Sequence, residues 1–195
     1  MKIGVLASQG AFVEHIDILR QLKVEAKPVR LPGELAGLDG LIIPGGESTS
    51  ISKLMLTYHL MDEVKDLAQN GLPVFGTCAG MILLAGKIAE SDVVPLGLMD
   101  IVVGRNAFGR QRESFETELL IPALGGKPFP AVFIRAPVIK EVNGKAEVLA
   151  RLADGTAVAA RQGRLVVSAF HPELTSDLRF HRYFLDIVSS RQSGG

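Results

Sequence analysis

The stretch GLPVFGTCAGMILL, residues 71–84, places the only cysteine of the chain, Cys78, between two glycines. An apolar run precedes this cysteine and a second one follows it, which favours a short buried strand that turns directly into a helix. Gly76 and Gly80 leave room for a tight turn that projects the side chain between them, as in a nucleophile elbow. A helix beginning at Ala79 would favour a thiolate and offer backbone N–H groups to an oxyanion.

Length and composition indicate one globular domain. The 195 residues are enough for one substantial core, and we predict a domain over residues 1–190 followed by a flexible tail at 191–195. Hydrophobic residues make up 47% of the chain, yet no apolar run approaches the length of a membrane span. Lys and Arg number 21, as do Asp and Glu, so no net field attracts nucleic acid. We predict neither nucleic acid nor membrane as a partner.

The cysteine and histidine content predicts the compartment and argues against a metal site. One cysteine cannot form an internal disulfide, and the N-terminus does not read as a signal peptide, so the cytosol is predicted. No histidine has a metal-site spacing with Cys78 or the acidic residues, and we predict no metal. Three of them, His15, His59 and His181, lie within predicted helices, where packed or solvated roles are expected.

The order of predicted elements indicates an α/β fold with a mostly parallel sheet, helices on both faces and additional antiparallel strands. Buried strands are predicted at 2–7, 24–31, 38–43 and 73–77, and helical segments at 12–23, 48–70 and 177–190. Pro28 favours a sheet edge for the second strand. The later strands are predicted at 98–103, 115–121, 131–134, 146–152, 157–161 and 165–170. Loops at the carboxyl ends of parallel strands then converge in one crevice.

Two further motifs follow strands and so belong to the same crevice as Cys78. His171-Pro172-Glu173 supplies a base that could take the thiol proton and a carboxylate that could orient the imidazole. The glycines of the Pro44–Ser48 stretch, PGGES, let backbone N–H groups approach an anion, and we assign this loop to the oxyanion hole. Alone, each motif is also compatible with an ordinary surface turn or helix cap. Together they favour a cysteine nucleophile with its base.

Five motifs resemble the class I, triad-type glutamine amidotransferases, and within them the glutaminase subunits of pyridoxal 5'-phosphate synthase. They are ASQGAF at 7–12, PGGEST at 44–49, GRNAFGRQ at 104–111, FIRAP at 133–137 and HPEL at 171–174. The GRNAFGRQ and FIRAP motifs separate this group from other amidotransferases. The resemblance covers nearly the whole chain and implies a three-layer, flavodoxin-like fold.

The resemblance also implies the roles of individual residues. Cys78 would be the nucleophile, with His171 and Glu173 as its relay. Our own interpretation of the PGGES loop and of the helix after Cys78 adds that backbone N–H groups of Gly46 and Ala79 would form the oxyanion hole. L-Glutamine would be held by Gly46, Glu47, Ser48, Arg105, Phe133 and Ile134.

The expected reaction is hydrolysis of L-glutamine to L-glutamate and ammonia through a glutamyl thioester. The resemblance implies a barrel-fold synthase subunit as the partner in a hetero-oligomer, and no cofactor in this chain. Three alternatives stay open at this point. One is a glutaminase subunit of another pathway, such as histidine biosynthesis. The others are a stand-alone cysteine hydrolase of related fold and a binding module without activity.

Overall fold

The computed structural model describes residues 1–8, 10–89, 91–105 and 113–192, without the side chains of residues 191 and 192. Within these ranges the helices are α1 (Phe12–Gln21), α2 (Ser48–Thr57), α3 (Leu60–Gln69), α4 (Ala79–Leu84) and α5 (Arg179–Gln192). The first strands are β1 (Lys2–Leu6), β2 (Glu25–Val29), β3 (Gly40–Ile43), β4 (Val74–Thr77), β5 (Ala85–Ala89) and β6 (Met99–Gly104). The remaining strands are β7 (Ser114–Leu119), β8 (Phe129–Ile134), β9 (Val138–Val142), β10 (Glu147–Arg151), β11 (Ala157–Gln162) and β12 (Leu165–Ser168).

The parallel half of the main sheet has the spatial order β2-β1-β3-β4-β12, and every neighbouring pair in it is parallel. The strand that carries Pro28 lies at the edge, as predicted, since proline cannot donate to a ladder hydrogen bond there. β3 and β4 are buried at all four positions. These strands read as continuous apolar runs because helices cover both faces of a parallel sheet.

Beyond β12 the sheet continues through antiparallel partners. β11 pairs with β12, β10 and β9, and β9 pairs with β6, while β7 and β8 form a separate two-stranded sheet. The predicted α/β class and the antiparallel additions are confirmed. Two strands, β5 and β9, were not predicted. β5 was missed because it follows α4 without any turn residue between them. β9 was missed because it carries the exposed charges of Lys140 and Glu141 next to each other.

Other sequence predictions differ from the structure only in detail. The helical stretch 48–70 is interrupted at Tyr58 and His59, and His59 is an exposed residue with φ of 59° just before α3, so its predicted place inside a helix was wrong. The last helix extends to Gln192, and residues 193–195 lie outside the described part, so the predicted tail stays a prediction. In the described residues no helix is long and apolar enough to cross a membrane.

The alternating side chains of β4 show how the sheet separates two helical layers. Phe75 faces α1 and α5, with ring centroids 5.3 Å from Phe180 and 5.6 Å from Phe184. Gly76 points to the other face, where a Cβ atom would lie 2.5 Å from the carbonyl oxygen of Gly80 in α4. The helix after Cys78 therefore packs directly on the backbone of the strand that precedes it.

Gly80 itself lies against the end of β3. A Cβ atom there would overlap the carbonyl oxygen of Ile43, a backbone atom that cannot rotate away. Two glycines of the central motif thus permit two close backbone approaches, one within the turn and one to the neighbouring strand. These approaches fix where Cys78 lies relative to the loop after β3.

We expect Gly80→Ala to lower the free energy of unfolding by about 1–3 kcal/mol or more, because overpacked backbones must move apart. Gly126→Ala is the matched control, because no atom lies within 4 Å of the added methyl group. It should be neutral or slightly stabilising. Urea unfolding followed by circular dichroism measures both. Equal stability of the two variants would contradict the close approach at Gly80.

Candidate active site

The strand-to-helix turn predicted at Cys78 is present. β4 ends at Thr77, α4 begins at Ala79, and Cys78 between them has φ of 49° and ψ of −101°. This region of backbone space is sparsely populated for a residue with a side chain, and occupying it costs about 1–3 kcal/mol. The Cys78 N–H donates to the carbonyl of Ser168 at 2.8 Å, which ties the turn to β12. The side chain is 7% exposed, so a small molecule reaches it only through a crevice.

His171 lies beside this turn because β12 is the parallel neighbour of β4. Ser168 pairs with Thr77 at the carboxyl ends of the two strands, and His171 follows three residues later. Its backbone N–H donates to the carbonyl of Val132 in β8 at 2.8 Å. Its Nδ1 lies 2.7 Å from Oε1 of Glu173, which is a buried carboxylate. The predicted base and its predicted orienter are therefore hydrogen-bonded to one another.

The charges of this pair are coupled to the cysteine. Burial alone would lower the pKa of His171, but hydrogen bonds with Cys78 and Glu173 outweigh it and raise this pKa to about 10. Burial would raise the pKa of Glu173, but His15 and His171 outweigh it and hold this pKa below the usual range. At neutral pH the site therefore contains an imidazolium between the sulfur atom of Cys78 and the carboxylate of Glu173.

The glycine-rich loop after β3 closes the other side of the crevice. A Cβ atom at Gly45 would lie 2.5 Å from Cε1 of His171 and 3.3 Å from Cβ of Cys78, so the bare backbone is in contact with both side chains. The Gly45 N–H donates to Oγ1 of Thr77 at 3.1 Å. The Ala11 N–H donates to the Gly45 carbonyl at 3.4 Å. Hydrogen bonds to both the N–H and the carbonyl of Gly45 therefore hold the loop in place.

Glu47 caps the helix that this loop opens. Its carboxylate accepts from the N–H groups of Thr49 at 3.0 Å and Ser50 at 2.7 Å. Burial would raise the pKa of Glu47, but these hydrogen bonds lower it to about 2. Arg105 places Nη2 3.4 Å from the same carboxylate and Nη1 3.2 Å from Oγ of Ser91. A fixed negative charge and a guanidinium therefore stand next to each other at the mouth of the crevice.

A cavity of about 370 Å³ lies between these parts, a size typical of small-molecule sites. Seven of the residues singled out in the sequence line it: Gly46, Glu47, Ser48, Cys78, Arg105, Ile134 and His171. Glu173 lies behind His171, and Ala79 is buried at the start of α4. Phe133 does not line this cavity. Its ring is buried and stacks on Phe115 with centroids 4.6 Å apart.

Sequence reasoning left out several residues of this region. The cavity is also lined by Gly10, Ala11, Ile82, Arg135 and Leu174. Arg135 has a φ of 43° and follows Ile134 within the quoted FIRAP motif, while Gly10 and Ala11 lie within ASQGAF. The motif residues Gln9 and 106–111 fall outside the described part of the chain. In the described residues no group of His, Cys, Asp or Glu side chains could hold a metal ion.

Comparison with known proteins identifies the family. Residues 5–190 match the SNO glutamine amidotransferase family. The chain belongs to this family. A member from Dehalococcoides mccartyi, named pyridoxal 5'-phosphate synthase subunit PdxT, is 60% identical over 96% of this chain and 97% of its own length. One from Pelotomaculum thermopropionicum with the same name is 60% identical over 95% and 94%.

Solved structures agree with the fold of this SNO-family chain. A crystal structure of a glutamine amidotransferase superposes with a TM-score of 0.91 at 51% identity, covering 96% of this chain and 98% of the other. The structure of PurLQS from Thermotoga maritima includes a chain that superposes with a TM-score of 0.70 at 15% identity, over 95% and 97%. The second likeness concerns the fold alone.

The backbone of Gly45 contacts the side chains of Cys78 and His171, and this contact generates a prediction about the reactivity of the cysteine. Gly45→Ala should displace the ring of His171 and slow alkylation of Cys78 by iodoacetamide at neutral pH by about tenfold or more, since a misplacement of 1 Å costs up to a hundredfold in comparable sites. Cys78 is the only cysteine, so the rate follows directly from mass spectrometry. Gly33→Ala, whose methyl group would meet no atom within 4 Å, is the control. Parent-like alkylation of Gly45→Ala would contradict the contact.

Proposed function

We propose that this chain is the glutaminase subunit of a pyridoxal 5'-phosphate synthase, hydrolysing L-glutamine to L-glutamate and ammonia and passing the ammonia to a synthase subunit. The observation that carries the proposal is the placement of Cys78 at a strand-to-helix turn beside the hydrogen-bonded pair of His171 and Glu173. Membership in a glutamine amidotransferase family supports the substrate. The names of the PdxT relatives, at up to 60% identity, favour this pathway over another amidotransferase.

Cys78, His171 and Glu173 act as a triad in this proposal. The thiolate of Cys78 adds to the carboxamide carbon of glutamine, and the imidazolium of His171 gives its proton to the departing ammonia. The same imidazole then takes a proton from water, whose oxygen attacks the thioester, and glutamate leaves as the thiolate of Cys78 and the imidazolium of His171 are restored. Glu173 stabilises the charged imidazole throughout, because its Oε1 accepts from Nδ1 at 2.7 Å.

The oxyanion of each tetrahedral intermediate would be held by backbone N–H groups of Gly46 and Ala79. Gly46 follows the glycine that contacts both Cys78 and His171, and Ala79 begins the helix that follows the nucleophile. Donors aimed at a developing oxyanion act strongly in a site that excludes water, since the local dielectric constant is low. Losing one such donor costs about 2.7–4 kcal/mol of transition-state stabilisation in a well-studied protease.

The remaining contacts would select free glutamine. Its α-ammonium and α-carboxylate groups need one negative and one positive partner, and the cavity mouth offers Glu47 and Arg105. Ser48 begins α2 inside the cavity, and Ile134 lines it from β8. Phe133, whose ring is turned away, would contribute through its backbone. An amino acid with both charges would therefore be preferred over a peptide-bound glutamine.

The partner in this proposal is a synthase subunit with a barrel fold, assembled with this chain as a hetero-oligomer. The word subunit in the names of the PdxT relatives supports a partner of this kind. The ammonia would be consumed within the assembly, and this chain would need no cofactor of its own. A cytosolic location fits a chain that depends on one reduced thiol.

Replacing the nucleophile tests the coupled function. Cys78→Ala should lower glutamine hydrolysis about a thousandfold or more, because the covalent route is lost. The fold should survive, since alanine fills less space than cysteine. In the complex, synthesis of pyridoxal 5'-phosphate should return when free ammonium replaces glutamine. A complex that assembles but cannot be rescued by ammonium would contradict the synthase partnership.

The raised pKa of His171 generates a pH prediction. The imidazolium delivers a proton to the leaving ammonia, so kcat/KM for glutamine, which reports the pKa values of the free enzyme, should hold through mildly alkaline pH and fall as pH rises through about 10. Glu173→Gln removes a charge that raises this pKa, so the alkaline fall should move to lower pH. Glu118→Gln, an exposed carboxylate on β7, is the matched control. Superimposable pH profiles for Glu173→Gln and the parent would remove Glu173 from the relay.

A further inference from the structure

A second set of polar side chains is buried directly behind the His171–Glu173 pair. His15 of α1 and His181 of α5 are both fully buried, and Nδ1 of His15 lies 2.9 Å from Nε2 of His181. The other ring nitrogen of His15, Nε2, lies 3.3 Å from Oγ1 of Thr77 and 3.4 Å from Oε2 of Glu173. The proposed reaction uses neither histidine, yet one of them touches the carboxylate of the relay.

The Oε2 atom of the Glu173 carboxylate needs a polar group beside it. Its Oε1 accepts from His171, whereas Oε2 has no hydrogen-bond partner in the described part of the chain. A buried carboxylate oxygen without any donor is costly, because no water compensates for the lost hydration. Nε2 of His15 lies 3.4 Å from it, and a proton there would give the carboxylate a dipole of the correct sign. A lone pair there would repel it.

The protonation of His15 follows from its surroundings. The titratable or charged groups that act on it are Glu173, His171, His181 and Glu14. Burial lowers its pKa, and the raising effect of the Glu173 carboxylate does not offset this, so the ring is neutral at pH 7 with one proton. That proton can be on Nε2 if His181 donates from its own Nε2 to Nδ1 of His15. The His181 Nδ1 is then a lone pair, in keeping with its having no hydrogen-bond partner among the described residues.

We propose that His15 is a positioning residue of the glutaminase reaction: an N–H group at Nε2, 3.4 Å from Oε2 of Glu173, stabilises the carboxylate through its dipole so that Oε1 stays directed at His171. This deepens the proposed function and rests on it. His15 is not among the residues that line the cavity, so it acts through Glu173 and not on glutamine. The same N–H group lies near Thr77, whose hydroxyl receives the Gly45 N–H, so one proton faces both the relay and the loop across the crevice.

Removing the donor should affect turnover and not glutamine binding. His15→Phe keeps a ring of similar size but removes the Nε2 group that lies 3.4 Å from Oε2 of Glu173, so we expect kcat to fall about tenfold or more, as for other orienting residues, with KM within about twofold. The acid limb of the kcat profile should move to higher pH, because the carboxylate is easier to protonate. His15→Gln can place an amide N–H near the position of Nε2 and should recover most of the loss.

A core variant separates positioning from packing. Phe184→Leu removes part of a buried ring that packs on Phe75, the residue whose ring also lies edge-on to His15. Phe184→Leu should lower the free energy of unfolding to a similar extent as His15→Phe, while its kcat stays at the parent value. Parent-like kcat in folded His15→Phe, or an equal loss of kcat in Phe184→Leu, would overturn the proposal. So would His15→Gln if it were stable and as slow as His15→Phe.

The decisive measurement uses the unaltered protein and needs no turnover. The chain has four histidines, so ¹⁵N-histidine labelling gives few ring signals, and the nitrogen shifts of His15 report which nitrogen carries the proton. A protonated Nε2 is expected at pH 7, and an unprotonated Nε2 would overturn the proposal even if the variants failed to fold. Glutamine hydrolysis by the parent complex is measured separately. Absent hydrolysis would refute the proposed function, whereas the His15 result tests the positioning role.

Discussion

The site depends on one constraint, that a strand must end and a helix must begin within a single residue at Cys78. Only bare backbone permits this, because Gly80 touches the end of β3 and the carbonyl of Gly80 touches Gly76. The strained backbone at Cys78 is stabilised by these approaches and by its hydrogen bond to Ser168. Cys78 is therefore positioned by the packing of the sheet and not by a loop.

Electrostatic interactions orient the side chains that packing brings together in the site. A carboxylate and an imidazole buried together would each lose hydration, and their mutual hydrogen bond compensates for much of that loss. The layer behind them contains two neutral histidines, where a purely apolar core would leave one oxygen of Glu173 facing hydrocarbon. The polar character of the site thus extends from the crevice to the helices α1 and α5, which line the far side of the sheet.

Sequence alone could predict the parts that obey local rules. The apolar runs of β1, β3, β4 and β12, the edge position of Pro28 and the turn at Cys78 follow from periodicity and from the needs of glycine and proline. The His15 network could not be predicted, since it joins α1, β4 and α5 across the sheet, and no spacing along the chain encodes that meeting. The burial of His15 had a local signal, because it shares a helical face with Leu19.

The position of β12 has a consequence for how activity arises during synthesis. β12 is the last strand in the sequence but lies inside the sheet, between β4 and β11. A growing chain therefore contains Cys78 long before it contains β12 and His171, and contacts between such distant segments form late. Any fragment that stops before β12 lacks both a central strand and His171. Under the proposed mechanism, hydrolysis of glutamine therefore requires a chain whose sheet has been completed, and shorter products of translation would be inactive.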